Sequence, residues 1–215
     1  MYKKMAAFIF AITMGLFVSS LYAETFREGV DYTELQTPVQ VDDPSKIEVR
    51  EFFWFGCPHC FQLESFLHDF EKMLPEDVNF LQTPAPLNKR WVPHAHAFYI
   101  MEAVGKRDEM ATALFNQLHV AKNLINTESQ LAEFFEKYDV KQSDFDKLYN
   151  SFSVRTKVRQ AEALAKTYRL DGVPAMVVNG KYVVGTRMAK GFPRMIDIVN
   201  FLIEKERVIS QAKAG

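Results

Sequence analysis

The spacing of apolar positions along this chain changes several times, and each change marks an element. Met5 to Val18 is an almost unbroken apolar run without a charge. Leu35 to Val41 predicts a first strand. Ile47 to Phe55 predicts a stronger one, β-branched and aromatic, that runs directly into Gly56-Cys57. From Pro58 the period lengthens, and Leu63, Phe66, Leu67, Phe70 and Leu74 fall on one helical face. Pro58 suits a first helical turn, where its missing N–H has no bond to lose. Pro75 ends that helix. Val78 to Gln82 then predicts another strand, broken by Thr83-Pro84-Ala85-Pro86.

A helical stretch follows. Ala97, Ile100, Met101 and Val104 mark one helix, stopped by Gly105, and Met110, Ala113, Leu114 and Leu118 mark the next. Thr127 with Gln130 makes a capping-box signal ahead of Leu131, Phe134, Phe135 and Tyr138. Ser143 opens a helix using Phe145, Leu148, Tyr149 and Phe152, and Val158 to Tyr168 carries a longer one to Asp171-Gly172. Strand character returns at Ala175–Val178 and Lys181–Val184, which flank Asn179-Gly180, the strongest short hairpin signal in the chain. Phe192 to Arg207 closes with a helix whose face is Met195, Ile198, Val199 and Leu202. The order predicts an α/β fold: a mixed sheet flanked by helices, with a helical insertion in the middle.

Lys3 and Lys4 precede the first apolar run, and Leu21-Tyr22-Ala23 follows it before Glu24, the pattern of an export signal cut near Ala23. The alternative is an uncleaved anchor, but the run is short for a bilayer span of about 20 residues. No cysteine follows the run, which removes a lipid anchor. The whole chain has ordinary globular composition, 48% hydrophobic and 25% charged, and the length beyond the first run allows a sizeable core. A formal net charge of −1 argues against nucleic acid as a partner, because phosphate binding needs a basic surface. No serine–histidine–acid pattern, phosphate-binding glycine loop or internal repeat is present.

The chain carries two cysteines, and they sit together as Cys57-Pro58-His59-Cys60. In an exported chain such a pair is expected to form a disulfide. So short a loop restricts the unfolded chain very little, so the bond is a poor brace. Zinc would need two further ligands, for which His94 and His96 are the candidates across a proline-rich loop. Thiol–disulfide exchange is the reading that suits the spacing best. His68, His94, His96 and His119 read as surface or helix-end residues.

Phe52-Phe53-Trp54-Phe55-Gly56-Cys57-Pro58-His59-Cys60, with Gly172-Val173-Pro174-Ala175 far downstream, resembles the DsbA family of thioredoxin-fold thiol oxidases of bacterial periplasms. Gly56 and Phe61 depart from the family's pattern, standing where a bulkier residue and a tyrosine are often seen. The resemblance implies a signal peptide at 1–23 and a thioredoxin-like domain formed by 24–91 and 154–215, with an inserted helical domain at 92–153. It implies that Cys57 is the sulfur attacked by substrate and that Cys60, inside the first turn and less exposed, is the leaving and resolving thiol. At a helix start, unpaired N–H groups favour a thiolate, and a stabilised reduced form makes the disulfide oxidising. His59 adds donors and charge from inside the motif, and Pro58 belongs to the surface that substrate meets.

Local sequence leaves Pro174 equally open to cis and trans; the resemblance implies cis, facing the cysteines, with Val173 offering backbone hydrogen bonds to a bound peptide. Glu51 either faces solvent beside Arg50 or, as the resemblance implies, is the buried acid that relays protons to Cys60. Glu64 reads as a surface carboxylate. The implied protein is a monomeric periplasmic oxidase with neither cofactor nor metal. Its partners are reduced or unfolded exported proteins and an inner-membrane, quinone-linked reoxidase. The rivals are a reductase or isomerase of the same fold and a non-catalytic chaperone. Isomerases of this type carry an N-terminal dimerisation domain, for which Glu24 to Val41 is too short.

Overall fold

The computed structural model describes residues 25–214. The signal segment expected at 1–23 lies outside the described residues. A five-stranded sheet carries the order β1-β5-β4-β2-β3, from β1 (Thr33–Glu34), β2 (Ile47–Phe53), β3 (Val78–Pro84), β4 (Ala175–Val178) and β5 (Tyr182–Gly185). β2 runs parallel to β3 and antiparallel to β4. The helix α1 (Pro58–Met73) makes the crossover between β2 and β3. Between β3 and β4 lie α2 (Val92–Ala103), α3 (Arg107–His119), α4 (Glu128–Glu136), α5 (Gln142–Tyr149) and α6 (Phe152–Thr167). After β5 come a short α7 (Thr186–Ala189), which periodicity did not reveal, and α8 (Phe192–Ala214). Among the described residues no helix is long and apolar enough to cross a membrane.

All seven residues of β2 are buried, because α1 and α8 cover one face of the sheet and α6 the other. Val49, Met176, Val178 and Tyr182 pack with Leu63 and Leu67 of α1 and with Ile198 and Leu202 of α8. Phe52 and Val177 meet Ala165 and Tyr168 on the opposite side. At the end of β2 that leads to the cysteines, Phe53 and Phe55 continue into a separate core with Phe98, Phe115 and Phe135 of the helical segment. This aromatic core ties the cysteine turn to α2 and α3.

Asn179 and Gly180 both have positive φ, +50° and +65°, as the expected two-residue hairpin requires. Gly180 is also sterically required, since a Cβ there would run into the Val39 carbonyl oxygen. The capping box on α4 forms as expected, Thr127 Oγ1 accepting from the Gln130 amide and Gln130 Oε1 from the Thr127 amide. The first strand differs from expectation: β1 is only Thr33–Glu34, and 35–41 is irregular. Proline at 38 has no N–H to continue a ladder. The segment still follows the hairpin, with the Leu35 and Val39 amides donating to the Lys181 and Gly180 carbonyls.

Candidate active site at the Cys57–Cys60 turn

β2 delivers the chain to a turn in which the Cys57 amide donates to the Trp54 carbonyl at 2.9 Å. Cys57 is then the N-cap of α1, with extended backbone, and Pro58 occupies the first helical turn. The Cys57 sulfur takes the place usually held by a serine or aspartate oxygen, accepting from the Cys60 amide at 3.4 Å. It also lies 3.5 Å from the Val173 carbonyl oxygen. Val173 comes from a segment far along the chain, and the Val173–Pro174 peptide is cis. Pro58 and His59 are exposed, and the His59 ring sits at the edge of Phe192. Phe192 in turn meets Phe66, which is 39% exposed despite lying on the expected apolar face of α1.

The two thiols differ sharply. Hydrogen bonding from Cys60, thiol first and then amide, together with the His59 amide and charge, outweighs burial and holds Cys57 at about 6 against an ordinary 9.0. Cys60 is fully buried, and that burial, with the nearby Cys57 and Glu51 charges, pushes its thiol well up. An acid held low is ionised above its folded value and protonated as pH falls through it. The support that the Cys57 thiolate gives the reduced fold is therefore complete above about pH 9.0 and gone below about 6. Alkylation of the reduced protein by iodoacetamide should rise with pH around a midpoint near 6 and map to Cys57 alone. A midpoint near 9.0 would remove the electrostatic basis of the site.

Beneath the turn lies a carboxylate pair of which the sequence suggested only one member. Glu51 is fully buried. Adjacent strand residues point to opposite faces, so Arg50 is not its partner. Arg50 instead bonds Glu48, Asp42 and Thr83 on the far side of the sheet. Glu51 is in register with Gln82 of β3, whose amide nitrogen donates to Glu51 Oε2 at 2.8 Å and to Glu64 Oε1 at 3.1 Å. Glu51 Oε1 is buried without a partner. Burial first, then the Glu64 charge, raises the Glu51 carboxyl well above 4.5; burial likewise lifts Glu64 to about 7.

Glu64 is thus not the surface carboxylate expected. It follows Cys60 by one helical turn and shares the inward face with Leu63 and Leu67, a spacing that was available in the sequence. Gln82 gave only a weak signal, a polar residue ending an apolar strand.

Two histidines differ from expectation, whereas His119 ends α3 as expected. His94 and His96 are buried, bonding the Ile125 and Tyr149 carbonyls at 2.6 and 3.1 Å. α2 is apolar almost all round and packs inside the helical segment, so its histidines serve as core donors. His119 is half-buried, bonds the Phe55 carbonyl at 2.7 Å and stacks on Phe61. It thereby joins α3 to the cysteine turn. Among the described residues no cluster of three or more histidine, cysteine or acidic side chains could hold a metal.

A sequence profile described as a DSBA-like thioredoxin domain matches residues 48–197. The chain belongs to this family. Its members are thiol:disulfide oxidoreductases, and the fold described above is theirs. The chain is 38% identical over 194 residues to the thiol:disulfide interchange protein DsbA of Azotobacter vinelandii, covering 90% of this chain and 91% of that one. Among solved structures, Pseudomonas aeruginosa DsbA superposes with a TM-score of 0.82 at 36% identity, over 86% of this chain and 97% of that one. The Xylella fastidiosa oxidoreductase DsbA gives 0.77 at 30% identity, over 83% and 96%.

Proposed function

We propose that this protein is a thiol:disulfide oxidase that donates a Cys57–Cys60 disulfide to folding exported proteins in the periplasm. The observation that carries this reading is the inequality of the two thiols. Cys57 is the N-cap of α1 with a depressed pKa, and Cys60 is buried with a raised one. A pair whose reduced form is stabilised by one thiolate surrenders its disulfide readily.

In this reading a client thiolate attacks Cys57 Sγ, the Cys57–Cys60 bond breaks, and its electron pair leaves on Cys60. Glu51, whose hold on its proton is strengthened by burial and by the Glu64 charge, supplies the proton that neutralises the Cys60 thiolate. A second client thiolate then attacks the client sulfur of the mixed disulfide and releases Cys57 as a thiolate. The client loses two electrons and the protein gains them, so turnover needs an oxidant. That role falls to an inner-membrane, quinone-linked partner. His59 supports the Cys57 thiolate through its amide and charge.

Client binding draws on Val173 and Pro174. A cavity of about 770 Å³ begins at this dipeptide and runs between the β1–β5 edge and the loop that follows α6. An extended client segment lying there meets the Val173 backbone beside the attacked sulfur, a form of strand addition. Pro58, His59 and the Phe66–Phe192 pair offer further surface next to it. The thioredoxin-like part is 24–91 with 154–215, the helical part 92–153 covers the turn, and the protein acts as a monomer after cleavage near Ala23.

Equilibration in glutathione buffers tests the direction of exchange. A reduction potential clearly more oxidising than that of thioredoxin is expected. A thioredoxin-like reducing value would turn the assignment to a periplasmic reductase.

A further inference from the structure

We infer that a cavity beside Gly56 is a subsite for an acidic client side chain flanking the reacting cysteine; the inference rests on the oxidase reading. The cavity measures about 300 Å³, the lower end of ligand-sized sites. Trp54 and Gly56 form one wall, with Lys89, Arg90, His119 and Leu124 around it. Trp54 stacks on Trp91 with centroids 4.5 Å apart and planes 8° from parallel, a rigid aromatic wall. A Cβ on residue 56 would fall inside the Trp54 indole, so the glycine and this wall require each other.

Charge identifies the occupant. No carboxylate lines the cavity, and neither Lys89 nor Arg90 joins an ion pair among the described residues. The cavity is distinct from the one at Val173–Pro174, sharing no lining residue with it. Cys57 is bonded to Gly56 and touches the Val173 carbonyl, so it stands between the two. A client segment crossing Cys57 would lay one flank along the cis-proline groove and bring the other over Lys89 and Arg90. An acidic residue on that second flank gains attraction and faster encounter.

Single-cysteine peptides with Glu, Gln or Lys placed either before or after the cysteine would test this. Each is reacted with the oxidised protein, and mixed-disulfide formation is followed by rapid quench. Dividing each rate by that peptide's rate with a small disulfide removes its intrinsic thiol reactivity. At low salt, Glu on one flank should react about three- to ten-fold faster than Gln, and Lys more slowly, with the difference shrinking at high salt. In Lys89→Glu/Arg90→Glu the order should reverse. Equal effects on both flanks, or an order unchanged by the double substitution, would overturn the subsite. Failure of the Gln peptide to react at all would overturn the oxidase reading instead.

Discussion

Cys57→Ser is expected to remain folded and to lose disulfide transfer completely, down to the rate of uncatalysed exchange. Serine is a better N-cap than cysteine, and its oxygen can accept from the Cys60 amide as the sulfur does now. Cys57 lies at the margin of the aromatic core built on Phe53 and Phe55, and serine fills nearly the same volume there. A hydroxyl, however, forms no disulfide, and the remaining thiol cannot substitute. Cys60 is 0% exposed and its pKa is pushed up, so it offers neither access nor thiolate. Oxidative refolding of a reduced client, with circular dichroism to confirm folding, reads both halves of the expectation. Full activity in the variant would mean that the protein acts by binding clients, as a chaperone does.

Glu51→Leu should separate stability from rate. The carboxyl is buried, bonded through one oxygen only, and held beside a second acid. Leucine removes the desolvated group, while Gln82 keeps its bond to Glu64. The variant should be more stable by about 1–3 kcal/mol, the usual penalty of a buried unsatisfied polar group. The sign follows from the raised pKa. Above pH 4.5 the unfolded chain releases this proton before the folded one does, so wild-type stability falls as pH rises and the variant's advantage widens. Exchange should slow on the order of a hundredfold, because Cys60 loses its proton source. Urea unfolding at two pH values and single-turnover exchange with a reduced peptide give both numbers. A faster or unchanged exchange rate would remove Glu51 from the mechanism, and a less stable variant would show that its hydrogen bond outweighs its burial.

Both experiments turn on features that the sequence disclosed unevenly. The turn itself was legible: a β-branched and aromatic run ending at Gly56-Cys57, then Pro58 and a helical period, places Cys57 at a helix start. The hairpin at Asn179-Gly180 and the cap at Thr127 were legible for the same reason, since each depends on residues a few positions apart. Glu51 stood open between a solvated and a buried reading, because neighbours in sequence do not say whether a strand is covered on both faces. Glu64 was misread as surface although its spacing from Cys60 and Leu67 matched the buried face. The burial of His94 and His96 was not legible, because each is satisfied by a backbone carbonyl distant in the chain, Ile125 and Tyr149.

By itself the sequence determined the order and type of the main elements, the position of the cysteine pair at a helix start, and the two-residue turn of the last hairpin. These follow from local periodicity and turn chemistry. Only the tertiary structure decided that Gln82 bridges Glu51 and Glu64, that the Val173 carbonyl meets the Cys57 sulfur, and that Trp54 closes over Gly56. The bridge and the sulfur contact join residues far apart in the chain, through strand register or a distant loop. The indole over Gly56 is held by its stack on Trp91, from another element. Register and packing belong to the whole sheet and its covering helices, and no short stretch of chain encodes them.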